Sequence, residues 1–420
     1  MAAGVVVLPI ASGAAAQTLE VELTLRVCRS GPALMTARAE RRLGLAEIHD
    51  IEPLQNPSLV LEHQQALSGP TDRETIVGAE VPLSISGRRG LLRTAAEARQ
   101  RASNARADVD LLETALRFRE AYVLAVIETE RATIMQNHHR ALAALSVALK
   151  QLNARGETAA YDVKRHEAEV RLHARALASA KARAQRAEKR LGRWLDGAIA
   201  PEMLSSKALV RRVEDSAEIF GAFGGPGTLA GEHPEVMALR STARAAEIES
   251  DAARRRWVPE PEVFAGYRQV SNGEQTGHGV SLGLSLPLTF FEHGQGASTR
   301  ARAERTLAEA RADRLRREMD AELRAAQATL QPLEAALREA ELNLGNTDQV
   351  KESARVLYGA GEVSITEILD AYRTGESAAL DRLTALEDLL AARLAVMRAA
   401  GRQFEPELDA SCGSRGKTTR

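Results

Sequence analysis

The stretch YGAGEVSITEILDA, Tyr358 to Ala371, decides the fold. It follows a long glycine-poor run, breaks it at Gly359 and Gly361, and restarts at Ser364 with Glu367 three residues on. That is the capping-box spacing, in which serine and glutamate satisfy each other's orphan amide donors at a helix start. A weaker copy, ARGETAAYDV (Ala154 to Val163), lies 205 residues earlier. Gly156 aligns with Gly361, Glu157 with Glu362, Asp162 with Glu367 and Val163 with Ile368. Two helix-breaking tips at one offset define a hairpin used twice.

Reading outward from each tip gives long helices. No Gly or Pro occurs from Leu91 to Arg155, a run of about 65 residues and roughly 95 Å if wholly helical. Within it Leu111, Ala115, Phe118, Tyr122, Ala125, Thr129 and Ala132 step by four and three, a heptad seam. Leu142, Leu145, Leu149 and Leu152 keep the spacing in a shifted phase. Glu157 to Leu191 returns. The second half repeats the plan, Ala297 to about Leu357 outward and Ser364 to Ala400 back. Pro332 and Gly345 are expected to kink the outgoing helix or split it into a stacked pair.

Ahead of each helical pair the period changes to two. Val77, Ala79, Val81, Leu83 and Ile85 alternate with small or polar residues, and Leu282, Leu284, Leu286, Leu288 and Phe290 do the same 205 residues later. Each half thus offers a hairpin, about 57–86 turning near Gly69 and about 261–290 turning near Gly273. Still earlier, a break at Gly31-Pro32 between two helices is matched around Pro234. Pro32 pairs with Pro234, Met35 with Met237 and Pro57 with Pro261 at offsets of 202 to 204. So small a drift is what an internal duplication leaves. Strands of about ten residues have the length that crosses a bilayer when tilted.

Composition narrows the function. Aromatics at 3% are scarce for a large globular core, and the Ala, Leu, Arg and Glu content reads as long helices and coiled coil. A formal net charge of −1 gives no field that favours nucleic acid. No apolar run is long enough for a membrane-spanning helix. There is no phosphate-binding glycine loop, GxSxG, HExxH or Cys/His nucleophile arrangement, so neither an enzyme nor a cofactor is expected. The two cysteines, Cys28 and Cys412, have no Cys or His partner at ligand spacing and are expected to be inert thiols. His138 and His139 face different sides of a helix, and His166 and His173 lie two turns apart. These, with His63, His278 and His293, are read as packing or solvated histidines, and no metal site is expected.

The resulting organisation is a signal peptide at 1–16, a first repeat at 17–220 with long helices at about 88–193, a second at 221–401 with long helices at about 297–400, and a flexible tail at 402–420. The signal reading rests on the apolar N-terminus ending in Ala14-Ala15-Ala16. The fold class is mainly α with β: coiled-coil hairpins plus four strands. Four strands cannot close a barrel, and open edges cannot face lipid, so membrane insertion requires several chains to pool strands.

In this order, LTLRVCRSGPALMTARAE, QNPSLVLE, VPLSISGRRGLLRTAAEA, GLSLPLTFFEHGQGASTRARAE and YGAGEVSITEILDA resemble the TolC-type outer membrane efflux proteins, and within them the heavy-metal resistance-nodulation-division branch. The resemblance implies a homotrimer that forms a 12-stranded barrel in outer membrane lipid on a periplasmic helical tunnel. It implies a passive exit duct docked by a periplasmic adaptor and an inner-membrane pump. By the same resemblance Glu367 and Asp370 match acidic positions that ring the constricted entrance. Arg155, Gly156, Glu157, Tyr358, Gly361, Glu362 and Ser364 would form the tips that the adaptor recognises. The alternative for Glu367 is a purely local cap, and for the chain as a whole a coiled-coil adaptor or scaffold.

Overall fold

The breaks read from glycine and proline become element boundaries in the computed structural model, which describes residues 15–51, 55–67, 73–195, 204, 226–272, 275–403, 408 and 412. The first half contains α1 (Ala15–Ser30), α2 (Pro32–Ile51), β1 (Ser58–Gln65), β2 (Arg73–Pro82), α3 (Arg88–Ala154) and α4 (Ala160–Leu195). The second repeats the order as α5 (Pro226–Glu232), α6 (Pro234–Arg254), a 3-10 turn at Arg255–Trp257, β3 (Glu262–Ser271), β4 (Thr276–Ser285), α7 (Gln295–Gly359) and α8 (Ile365–Ala400). Pro32 and Pro234 each open a helix, where the missing N–H would have had no partner anyway. The expected signal peptide up to 14, both hairpin-turn glycines, most of the joining segment and most of the tail lie outside the described residues. The chain divides into two units, Thr36–Ala107 with Pro234–Leu315, and Met1–Met35 with Asp108–His233 and Arg316–Arg420.

The first unit carries a four-stranded antiparallel sheet in the order β1-β2-β3-β4. The two hairpins join through β2 and β3, with Val77 opposite Tyr267 and Val81 opposite Val263. Together with Leu61 opposite Val77 and Tyr267 opposite Val280, this register puts eleven side chains on one face: Leu59, Leu61, Val77, Ala79, Val81, Val263, Ala265, Tyr267, Val280, Leu282 and Leu284. Successive strand residues alternate faces, so a single register commits the whole set. The opposite face is richer in glycine and polar groups: Gly78, Gly266, Ser281, Gly283, Glu62 and the Glu74–Arg268 ion pair at 2.6 Å. There Phe264 lies across two glycines; a Cβ at Gly78 or Gly266 would come 2.5 or 2.7 Å from its ring. β2 and β4 stop at Pro82 and Ser285 rather than at Ile85 and Phe290 as the alternation implied. Prolines 82 and 287 have no N–H to continue the ladder, and one bond, Leu83 N–H to Pro261 O at 2.8 Å, marks its last step. The helices of this unit are tied by Arg305–Glu247 at 3.0 Å and by paired hydroxyls of Ser250 and Ser298 at 3.1 Å.

The second unit is helical. Leu111, Ala115, Phe118, Tyr122 and Ala125 are all buried, as the heptad seam requires. Phe118, Tyr122 and Ala125 share a core with Leu191 of α4, Leu323, Leu330 and Leu337 of α7, and Leu383, Leu386 and Leu389 of α8. The shifted series Leu142, Leu145 and Leu149 enters a different cluster with Ile368 and Leu369, so the phase change corresponds to a change of packing partners. A buried pair, Arg119 Nε to Glu20 Oε1 at 2.8 Å, is completed by Gln403 Oε1 at 2.7 Å.

Two expectations are corrected in this unit. Of the two outcomes expected at Pro332 and Gly345, a kink or a stacked pair, the stacked pair is not formed: one helix, α7, runs through both. Pro332 and Gly345 are exposed, while Leu323, Leu330 and Leu337 recur every seventh residue on the buried face. A mid-helix proline costs about 3 kcal/mol; burying a leucine returns about 1.5–3 kcal/mol, and three of them flank the break. Second, Cys28 and Cys412 are not thiols. They form a disulfide with Cα atoms 5.6 Å apart, buried with Ala115 and Leu408. A separation of 384 residues hid the pairing, and it fixes one point of a tail expected to be flexible.

Candidate functional site

The two tips are built alike. At the first, Gly156 has φ of 78°, its N–H donates to Asn153 O at 2.9 Å, and Glu157 N–H reaches Leu152 O at 2.9 Å. At the second, Gly361 has φ of 74°, its N–H donates to Tyr358 O at 3.1 Å, and Glu362 N–H reaches Leu357 O at 3.0 Å. This is the Schellman closure, with glycine supplying the left-handed residue. A Cβ at either glycine would meet nothing within 4 Å, so backbone conformation alone sets the requirement. Arg155, Gly156, Glu157, Gly361 and Glu362 are exposed, while Tyr358 is half-buried against the Leu142–Leu149 cluster. That burial raises the Tyr358 hydroxyl pKa.

Ser364 and Glu367 close the capping box. Ser364 N–H donates to Glu367 Oε2 at 2.6 Å, and Glu367 N–H donates to Ser364 Oγ at 3.4 Å. The backbone N–H of Ser364, then its side chain, holds the Glu367 carboxyl below its ordinary pKa. Glu367 and Asp370 are both exposed and sit one turn apart on α8. One carboxylate is thus partly engaged locally and the other open to solvent. Three residues on from Asp370, Arg373 pairs with Glu169 of α4 at 2.5 Å, tying the two return helices together.

The structure also groups residues that linear spacing kept apart. His138, His173 and Glu376 meet from α3, α4 and α8. His166 is buried and its Nε2 lies 2.8 Å from Leu142 O, a packing role as expected. His278 lies on the sheet, stacked on Tyr267. His63 shares a hydrogen bond with Thr75 at 2.9 Å.

Two helical hairpins are carried with one four-stranded sheet. Residues 226–402 match the model of the family described as outer membrane efflux protein. No curated protein is detectably similar in sequence. Solved structures share the fold over nearly the whole chain. A membrane protein from Pseudomonas aeruginosa is 18% identical with a TM-score of 0.72, covering 92% of both chains. The outer membrane protein VceC from Vibrio cholerae is 15% identical with a TM-score of 0.70, covering 92% of this chain and 97% of its own. CusC, described for transmembrane channel formation, is 15% identical with a TM-score of 0.68, covering 92% of both. Among the described residues no helix is long and apolar enough to cross a membrane.

Proposed function

We propose that the chain is the outer membrane exit duct of a tripartite efflux system, acting as a homotrimer without catalysis. The observation that carries this reading is the sheet: one face holds a contiguous patch of Leu, Val and Ala, the other is richer in Gly and charged residues, and β1 and β4 are each paired on one side only. Leu59, Val280, Leu282 and Leu284 are each more than two-thirds exposed. A contiguous apolar surface of this kind marks an interaction with lipid or protein. The opposite face suits a wet lumen. Lipid tolerates no open edge, because each unpaired amide there costs several kcal/mol, so three chains would close the sheet.

In this reading Glu367 and Asp370 from three chains supply six carboxylates around one constriction, a cation-favouring ring. Arg155, Gly156, Glu157, Tyr358, Gly361, Glu362 and Ser364 present the surface that a periplasmic adaptor grips, and the inner-membrane pump drives passage. Heavy-metal cations are the favoured cargo, on the resemblance of the strand-to-helix segments at Val81–Ala98 and Gly283–Glu304 to the metal-exporting branch. A coiled-coil adaptor would need the same heptads but no lipid-compatible sheet, and that sheet is why the duct is preferred. Outer membrane fractionation combined with unboiled gel electrophoresis tests the proposal. Recovery as a heat-modifiable trimer is expected, and a soluble monomer would overturn it. Heightened sensitivity of a deletion strain to metal salts, and not to organic toxicants, is expected for the cargo.

A further inference from the structure

We infer that His138, His173 and Glu376 form a binding site for a divalent transition-metal cation that links three helices of one chain. One donor atom from each residue lies within 4.8 Å of the other two. His173 Nε2 is 2.7 Å from Glu376 Oε1, and His138 Nε2 is 3.2 Å from Glu376 Oε2. Donors held at about 2.0–2.2 Å by a tetrahedral ion stand roughly 3.3 Å from each other. The carboxylate therefore stands between the two imidazoles, one oxygen towards each, and all three donors lie within 4.8 Å of one another.

Burial separates this cluster from the ordinary run of surface histidines. The side chains of His138, His173 and Glu376 are 6%, 11% and 14% exposed. The His138 and His173 rings have centroids 4.7 Å apart, and Tyr372 packs edge-on against His138 at 6.3 Å. A third imidazole, His139, stacks on His173 at 5.8 Å with planes 11° apart. The Nδ1 atoms of both His139 and His173 are buried without a hydrogen-bond partner.

The donor set selects the ion. Two imidazoles and one carboxylate suit Zn2+, Co2+, Ni2+ or Cu2+, whereas Mg2+ and Ca2+ prefer all-oxygen cages. Three protein ligands leave a fourth position for water. Because α3, α4 and α8 each contribute one ligand, occupancy favours the state in which the three are packed together, by mass action. The site depends only on side chains of one chain and not on what the duct carries, so it stands or falls apart from the transport proposal.

The experiment uses the full chain in detergent, stripped with a chelator and titrated with Co2+. One equivalent per chain should produce an intense visible d–d band of a four- or five-coordinate ion, which Zn2+ abolishes stoichiometrically and Mg2+ does not. His173→Gln and Glu376→Gln should each weaken Co2+ binding by at least ~100-fold, since second-shell changes alone cost 10–100-fold. His293→Gln, on the sheet-bearing unit, should leave it unchanged. Circular dichroism and oligomer size are to match the parent, and the conservative Glu376→Asp, which keeps the carboxylate, gives an intermediate affinity if a variant fails that check. Absence of the band, or a band that survives His138→Gln with His173→Gln, would overturn the site.

Discussion

Breaking the Cys28–Cys412 disulfide is the perturbation with the largest effect worked from the structure. The bridge closes a loop of 384 residues, and in the chain-entropy model a loop of that length loses about 20 cal/mol/K in the unfolded state, or about 6 kcal/mol at 25 °C. That figure is a ceiling, because residual structure in the unfolded chain shortens the effective loop. The native geometry supports the bond without distortion of the chain, with Cα atoms 5.6 Å apart, inside the range of natural disulfides. The sulfurs are fully buried beside Ala115 and Leu408, so Cys28→Ser with Cys412→Ser also places two hydroxyls where no partner was needed before. Protein isolated from an oxidising compartment should show no free thiol to Ellman's reagent before reduction and two per chain after reduction and unfolding. The double serine variant should unfold at lower guanidinium concentration, by several kcal/mol. Two reactive thiols in the untreated protein, or an unchanged unfolding midpoint in the variant, would refute the pairing.

Four further outcomes are expected. Gly156→Ala and Gly361→Ala should each destabilise by about 1–2 kcal/mol, the cost of a left-handed residue with a Cβ; denaturant midpoints check this, and a larger loss would point to contacts that the open surroundings of both glycines do not offer. Ser364→Ala should cost about 1 kcal/mol through the lost cap. The Glu367 contribution should be present above its unfolded-chain value of about 4.3 and fade as pH falls through its depressed folded value, so acid melts of parent and Glu367→Gln should converge. Leu282→Arg on the apolar face should impair membrane assembly by about 2–4 kcal/mol if that face meets lipid, while Ser281→Arg on the opposite face should assemble and alter conductance; equal effects would remove the assignment of faces. Glu367→Ala with Asp370→Ala should reduce cation selectivity in planar bilayers, and unchanged selectivity would remove the ring while leaving the fold.

What could be read in one dimension is what repeats at short range. The heptad seam, the alternating strands and both glycine tips appear in the structure within a few residues of where their spacing put them, because each depends on neighbours three or four positions away. Three features escaped. Pro332 is a strong local breaker, yet Leu330 and Leu337 on the far side of the helix hold it continuous, a tertiary gain that local propensity does not contain. Cys28 and Cys412 are each unremarkable until the fold closes 384 residues between them. His138, His173 and Glu376 lie on three helices, and testing intervals within a single helix excluded them by construction.

In the proposed duct the sheet bears on the number of chains. β2 pairs with β3 inside the chain, so the free edges are β1 and β4, one from each half of the duplication. In a closed barrel, pairing between copies is head to tail, β4 of one against β1 of the next, and head-to-tail contacts either close into a ring or run on without limit. Two copies would give eight strands, whose interior is just wide enough for side chains to fill and leaves no aqueous path. The inward candidates mix small residues, Gly78, Gly266, Ser281 and Gly283, with large ones, Glu62, Glu74, Ile76, Phe264 and Arg268. In an eight-stranded barrel side chains of that size would fill the interior, whereas twelve strands would leave a wider lumen beside them. A dimer on an unboiled gel would therefore contradict the proposed duct, and a trimer would support it.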